Sequence, residues 1–146
     1  AYCWYNHDKS KPNNPYGAIY NGFAARMSSL CPKGWHVPSI SELQELIKYC
    51  GKMDADSPKK LKEAGRSHWE NNPESVTNET GFTALPGGKR KNYGNFESRG
   101  NSGFWWTSTS SGKYQGSMRI YENNAPTYFA PSTTIQNGGC IRCVMD

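Results

Sequence analysis

Apolar residues recur at helical spacing twice in the first third of the chain. From Tyr16 to Leu30, the residues Ile19, Phe23, Met27 and Leu30 fall four, four and three positions apart. That spacing lays one stripe along a helix ending just before Cys31-Pro32, with Gly22 weakening it. In the second pattern Ile40, Leu43, Leu46, Ile47 and Cys50 make the stripe, and Ser39 stands three residues before Glu42. Ser39 and Glu42 compose a capping box, and Gly51 tolerates the left-handed conformation that commonly ends a helix, so the second helix runs from Ser39 to Cys50. Beyond Gly51 the periodicity fades. A short helical turn is expected near Pro58 to Ala64, and the rest of the middle reads as loop through Asn101.

Strand character lies at the two ends of the chain. Cys3-Trp4-Tyr5 reads as a short strand followed by a loop from Asn6 to Tyr16. Phe104 to Thr109, Ser117 to Tyr121 and Cys140 to Met145 are aromatic, β-branched or alternating in polarity, and are predicted strands. Helices come first and most strands last, which points to an α+β domain with an antiparallel sheet.

The length of 146 residues suits one domain spanning 1–146. With 5 Trp and 9 Tyr, rings must both fill the core and serve as contact residues. The net charge of +5 is dispersed. Lys59, Lys60 and Lys62, and Lys89, Arg90 and Lys91, are short groups read as solvated surface, so no nucleic-acid binding is expected. No apolar run is long enough to span a bilayer, so direct membrane insertion is not expected. Without a leader before Ala1, the chain reads as a mature chain or an excised domain. The 5 cysteines point to an oxidising, extracellular setting, with at least one thiol left unpaired.

No catalytic set emerges. The 3 histidines, His7, His36 and His68, are scattered and read as structural. Cys140 and Cys143 share a Cys-x-x-Cys spacing, but residues three apart in a strand point to opposite faces and no second pair completes a zinc site. Neither a metal nor a cofactor is assigned. The stretch from Phe104 to Asn137 has 34 residues, with seven aromatics and ten Ser or Thr but only Lys113, Arg119 and Glu122 charged. Rings with small polar residues and few charges make adaptable contact surfaces. The region 110–137 is therefore the expected contact face, with Tyr114, Tyr121, Asn123, Asn124, Thr127, Tyr128 and Phe129 as candidates. Trp105 is assigned to the core. Trp106 joins the candidates, with core or contact both open to it.

Several blocks occur in order: Cys3-Trp4-Tyr5, Tyr16-Gly17-Ala18-Ile19-Tyr20-Asn21, Cys31-Pro32-Lys33-Gly34-Trp35-His36-Val37-Pro38, Gly81-Phe82-Thr83-Ala84-Leu85-Pro86-Gly87-Gly88, Phe104-Trp105-Trp106-Thr107-Ser108-Thr109 and Ile141-Arg142-Cys143-Val144. Together they resemble the Fibrobacter succinogenes major paralogous domain over nearly the whole chain. The resemblance implies a C-type-lectin-like fold: two helices on a twisted antiparallel sheet, terminal strands side by side, and a long loop region presenting the ligand surface. It also implies a disulfide between Cys31 and Cys143. Pairing of Cys3 with Cys50 or with Cys140, or free thiols, stays open. Surface display in an adhesin or fimbrial context follows, with a protein or glycan on another cell or host surface as partner.

Some members of the family look like targets of diversity-generating retroelements, and no Lys, Glu, Gln, Met or Trp occurs between Asn123 and Ile135, as rewriting of Asn codons requires. Two alternatives accompany this reading. Gly34 to Leu43 distantly resembles a helix start of the formylglycine-generating enzymes, which would need Cys140 and Cys143 to hold copper. A purely structural fimbrial module is the other. The motifs that supply calcium in sugar-binding relatives of this fold are not intact, although Glu70-Asn71-Asn72-Pro73 and Glu122-Asn123-Asn124 offer oxygens.

Overall fold

A computed structural model of the chain describes residues 1–8, 14–51 and 56–146. The part of the expected early loop at 9–13 lies outside the described residues. In chain order the elements are β1 (Tyr2–Cys3), a 3-10 turn (Tyr5–His7), β2 (Ile19–Asn21), α1 (Gly22–Ala25), β3 (Trp35–His36), α2 (Ile40–Tyr49) and α3 (Asp56–Leu61). The strands β4 (Gly87–Arg90), β5 (Phe96–Arg99), β6 (Ser102–Ser111), β7 (Tyr114–Tyr121), β8 (Tyr128–Thr134), β9 (Gly138–Gly139) and β10 (Val144–Met145) follow. The architecture is α+β: a large open sheet with a few short helices.

Along the sheet the order is β1-β2-β9-β4-β6-β7-β8, with β5 on β4, while β3 and β10 form a separate pair. Pairing is antiparallel except where β4 meets β6 in parallel at Gly88 and Gly103. The terminal strands are not neighbours, contrary to expectation. β1 pairs with β2, and β10 pairs with β3 through Val144 with His36 and Met145 with Trp35.

Both faces of β6 are covered, which explains its unbroken aromatic run. Trp105 packs with Leu43, Ile47, Met118 and Ile120 on one side. Phe104 and Trp106 meet Ala25 on the other, their rings edge to face at 5.0 Å. Gly139 lies flat against Phe104, where a Cβ would collide with the ring.

The helix at α2 matches the expected one. Ser39 caps it, its side chain accepting from Glu42 N while the Glu42 side chain accepts from the cap's amide, and Cys50 closes it. Only α1 remains of the helix expected from Tyr16 to Leu30. Asn21 Oδ1 accepts from Ala24 N at 3.1 Å, so the helix starts there, after a strand that pairs Tyr20 with Gly139. Of the expected stripe Ile19 is buried, but as strand, while Phe23 and Met27 are 52% and 56% exposed. Long-range pairing overrode a helical spacing. The hairpin of β4 and β5 and the strand β8 replace what read as loop.

Candidate functional site

The candidate residues divide between core and surface. Trp106 is fully buried, and its Nε1 donates to Tyr20 O at 2.8 Å, which makes it core and not contact. Thr127 and Asn124 are also buried, and Phe129 packs half-buried against the main core. These positions correct the expectation of one exposed loop: Trp106 lies within β6, Asn124 and Thr127 are buried ahead of β8, and β8 turns Phe129 onto the core. Tyr114 and Tyr121 stand at opposite ends of the eight-residue β7, about 24 Å apart at 3.4 Å per residue. They cannot contact one small ligand together. Tyr128 is 51% exposed, with the Arg119 guanidinium 5.9 Å from its ring centroid. Asn123 is exposed, its Oδ1 accepting from Ala125 N at 3.0 Å.

Where β7 ends, the backbone leaves the ladder and turns through Glu122, Asn123 and Asn124, the last with φ of 53°. Polar groups in such a turn need partners outside the sheet. Asn101 O accepts from Glu122 N at 2.8 Å. The decisive partner is Lys62, at the end of α3. Its Nζ donates to Glu122 O and to Asn124 Oδ1, both at 2.9 Å, and lies 4.4 Å from the Trp69 ring centroid. Lys62 is fully buried, which corrects its reading as solvated surface. Burial pushes its ammonium down to about 8, and the nearby Glu122 charge partly opposes that shift.

Opposite the turn lies the segment 66–73. Asn72 is buried and donates through Nδ2 to Glu63 O and Gly65 O, while its backbone oxygen accepts from Arg66 Nε at 3.3 Å. Asn71 Nδ2 reaches Glu122 Oε2 at 3.2 Å. Asn101 Nδ2 bridges Glu70 Oε2 at 2.7 Å and Glu122 Oε2 at 3.1 Å. The two oxygen-rich segments noticed separately in the sequence thus face each other across one cavity of about 350 Å³, lined by Arg66, Asn71, Asn72, Pro73, Glu122, Asn123 and Asn124. Asn72 Oδ1 is buried with no hydrogen-bond partner among the described residues. Sequence reasoning missed Arg66, Asn71 and Asn72 as site residues. Their signal was the density of Asn in both segments.

His36 and the thiols sit elsewhere. His36 bridges Asp146 through Nδ1 at 2.6 Å and Glu42 through Nε2 at 2.7 Å, and those two hydrogen bonds raise its pKa. Donation to both carboxylates needs the doubly protonated ring. Cys31 and Cys143 are disulfide-bonded with Cα atoms 5.9 Å apart, the pairing that the family resemblance implied. Cys3, Cys50 and Cys140 are free. Burial pushes the Cys140 thiol up to about 12, making it a poor nucleophile and a poor metal ligand. With Cys143 in the disulfide, Cys140 has no thiol beside it in that motif to complete a two-thiol copper site.

No curated protein and no solved structure matches the chain. The family model of the Fibrobacter succinogenes major domain matches residues 1–145, and the chain belongs to that family.

Proposed function

We propose that this domain is a non-catalytic recognition module with a C-type-lectin-like fold, displayed outside the cell, whose ligand docks over the cavity between Asn71 and Asn123. The observation that carries the proposal is the half-spent hydrogen-bonding capacity of that cavity, counted among the described residues. Asn71 gives Nδ2 to Glu122 and keeps its amide oxygen for a ligand. Asn123 uses its oxygen on Ala125 N and keeps its amide hydrogens. Arg66 spends Nε on Asn72 O and retains its outer N–H groups. Alternating donors and acceptors of this kind match the hydroxyls of a glycan or the backbone of a protein. Extracellular display accords with the Cys31–Cys143 disulfide. Among the described residues no helix is long and apolar enough to cross a membrane.

The test is a glycan and host-protein binding screen comparing the native domain with an Asn71→Ala/Asn123→Ala variant. Both side chains are exposed, so the variant is expected to melt with the native domain. Binding lost in the variant supports the proposed site. Binding kept at full strength moves the contact face to the Tyr114 or Tyr128 end of the sheet. No native binding at all favours a structural module within a fimbria.

A further inference from the structure

Lys62 is a buried nucleophile that recognition does not use. Among the described residues, the hydrogen-bond partners of its Nζ are two neutral oxygens, Glu122 O and Asn124 Oδ1, and no carboxylate pairs with it. The Trp69 ring covers another side at 4.4 Å from its centroid. Both Lys62 and Asn124 are buried, and Asn124 is held in a left-handed conformation within its turn. An amine is thus fixed against a side-chain amide, in a setting that penalises its charge. Desolvation of this kind activates a lysine, and fixed contact replaces the entropy of encounter.

From this juxtaposition we propose that Lys62 and Asn124 condense into an intramolecular isopeptide bond. The ammonium gives one proton, relayed through water, to the Glu122 carboxylate, which lines the same cavity as Asn124 and whose charge acts on Lys62 without contacting it. Neutral Nζ adds to Asn124 Cγ, forming the Nζ–Cγ bond. The Cγ–Nδ2 bond then breaks, and a second Nζ proton leaves with Nδ2 as ammonia. Ammonia exits through the cavity and takes the proton held by Glu122. The overall change is ammonium plus carboxamide to secondary amide plus ammonium ion, with nothing oxidised or reduced. The product would replace a buried charge that no carboxylate contacts directly by a neutral amide, and would tie the Glu122–Asn124 turn to the end of α3.

Denaturing intact-mass measurement on the full chain, before and after incubation at pH 9, tests the bond. The expected mass is about 17 Da, one ammonia, below that of the sequence with its disulfide. A protease digest should yield a branched peptide joining Lys62 to Asn124. Lys62→Met and Asn124→Ala should each restore the full mass, and Glu122→Gln should slow the loss. An undiminished native mass after incubation overturns the proposal. So does a 17 Da loss that persists in Lys62→Met or comes with a linear Lys62 peptide, since a succinimide at an asparagine would account for it. The native mass decides even if a variant fails to fold, and neither result depends on finding the domain's ligand.

Discussion

Removing the Cys31–Cys143 disulfide is expected to cost this domain a large share of its stability. The bond spans 112 residues of sequence. On the chain-entropy relation a closed loop of that length restricts the unfolded chain by about 16 cal/mol/K, or about 5 kcal/mol at 25 °C. Against the roughly 5–15 kcal/mol typical of a whole domain, that is a third or more. Little else in the ladder secures the C-terminal strand: β10 pairs with β3 at two positions, and Asp146 N adds one bond to Gly34 O at 3.1 Å. The assay is urea unfolding of native and Cys31→Ala/Cys143→Ala protein by Trp fluorescence, at pH 6 so that the free thiols stay protonated. Stability should fall by about 3–5 kcal/mol while the urea slope steepens, because the uncrosslinked unfolded chain exposes more surface. A loss below about 1 kcal/mol with an unchanged slope would refute the entropic argument.

Three further outcomes follow from single contacts. His36 has a folded pKa raised by Asp146 and Glu42, so its contribution is fully present below the unfolded value of 6.5 and fades as pH rises through the folded one. His36→Gln should flatten the stability profile in that window, and an unchanged slope would count against the bridge. Trp106→Phe should destabilise by about 1–3 kcal/mol, from a lost hydrogen bond and a smaller ring, without touching ligand binding; native-like melting with lost binding would return Trp106 to the contact face. Gly139→Ala should cost about 1–3 kcal/mol by driving a Cβ into Phe104, visible as a changed near-ultraviolet aromatic signal. Wild-type melting would show that β9 gives way there.

The parts of the fold legible in the sequence were those decided locally. Ser39 and Glu42 announce α2 because a capping box acts within one turn. Ile19, Phe23, Met27 and Leu30 misled because their spacing fits a helix, whereas Tyr20 and Asn21 are claimed by β9, more than a hundred residues away. β8 was read within the 110–137 contact region from its composition, and Pro131 inside it does not suit a central strand. The register between β7 and β8 shifts between Gln115 and Ser117, so Pro131 falls at the irregularity of an edge strand, where its missing N–H is tolerated. Lys62 was hidden in a short lysine group. Nothing in Lys59-Lys60-Leu61-Lys62 distinguishes the solvated lysines from the buried one, since its partners lie about 60 residues on.

The division of the candidate contact residues between core and surface was only half-legible, for a chemical reason. Tyr, Trp, Ser and Thr suit an adaptable binding face, but the aromatic and β-branched residues among them are also those that fill a strand packed on both sides. Composition from Phe104 to Asn137 therefore could not separate Trp106, held in the core by Tyr20 O, from Tyr128, open to solvent. What separates them is where the ladder stops. At Glu122 the chain turns out of the sheet, and its free polar groups must be satisfied from outside the ladder. Lys62 satisfies two of them from beneath, and Asn101 and Asn71 reach the same residue from the side. The demand that stabilises this irregular turn thus gathers amides around a cavity, and those with capacity to spare face outward. An amide-lined cavity at the end of β7 is a consequence of how the sheet ends.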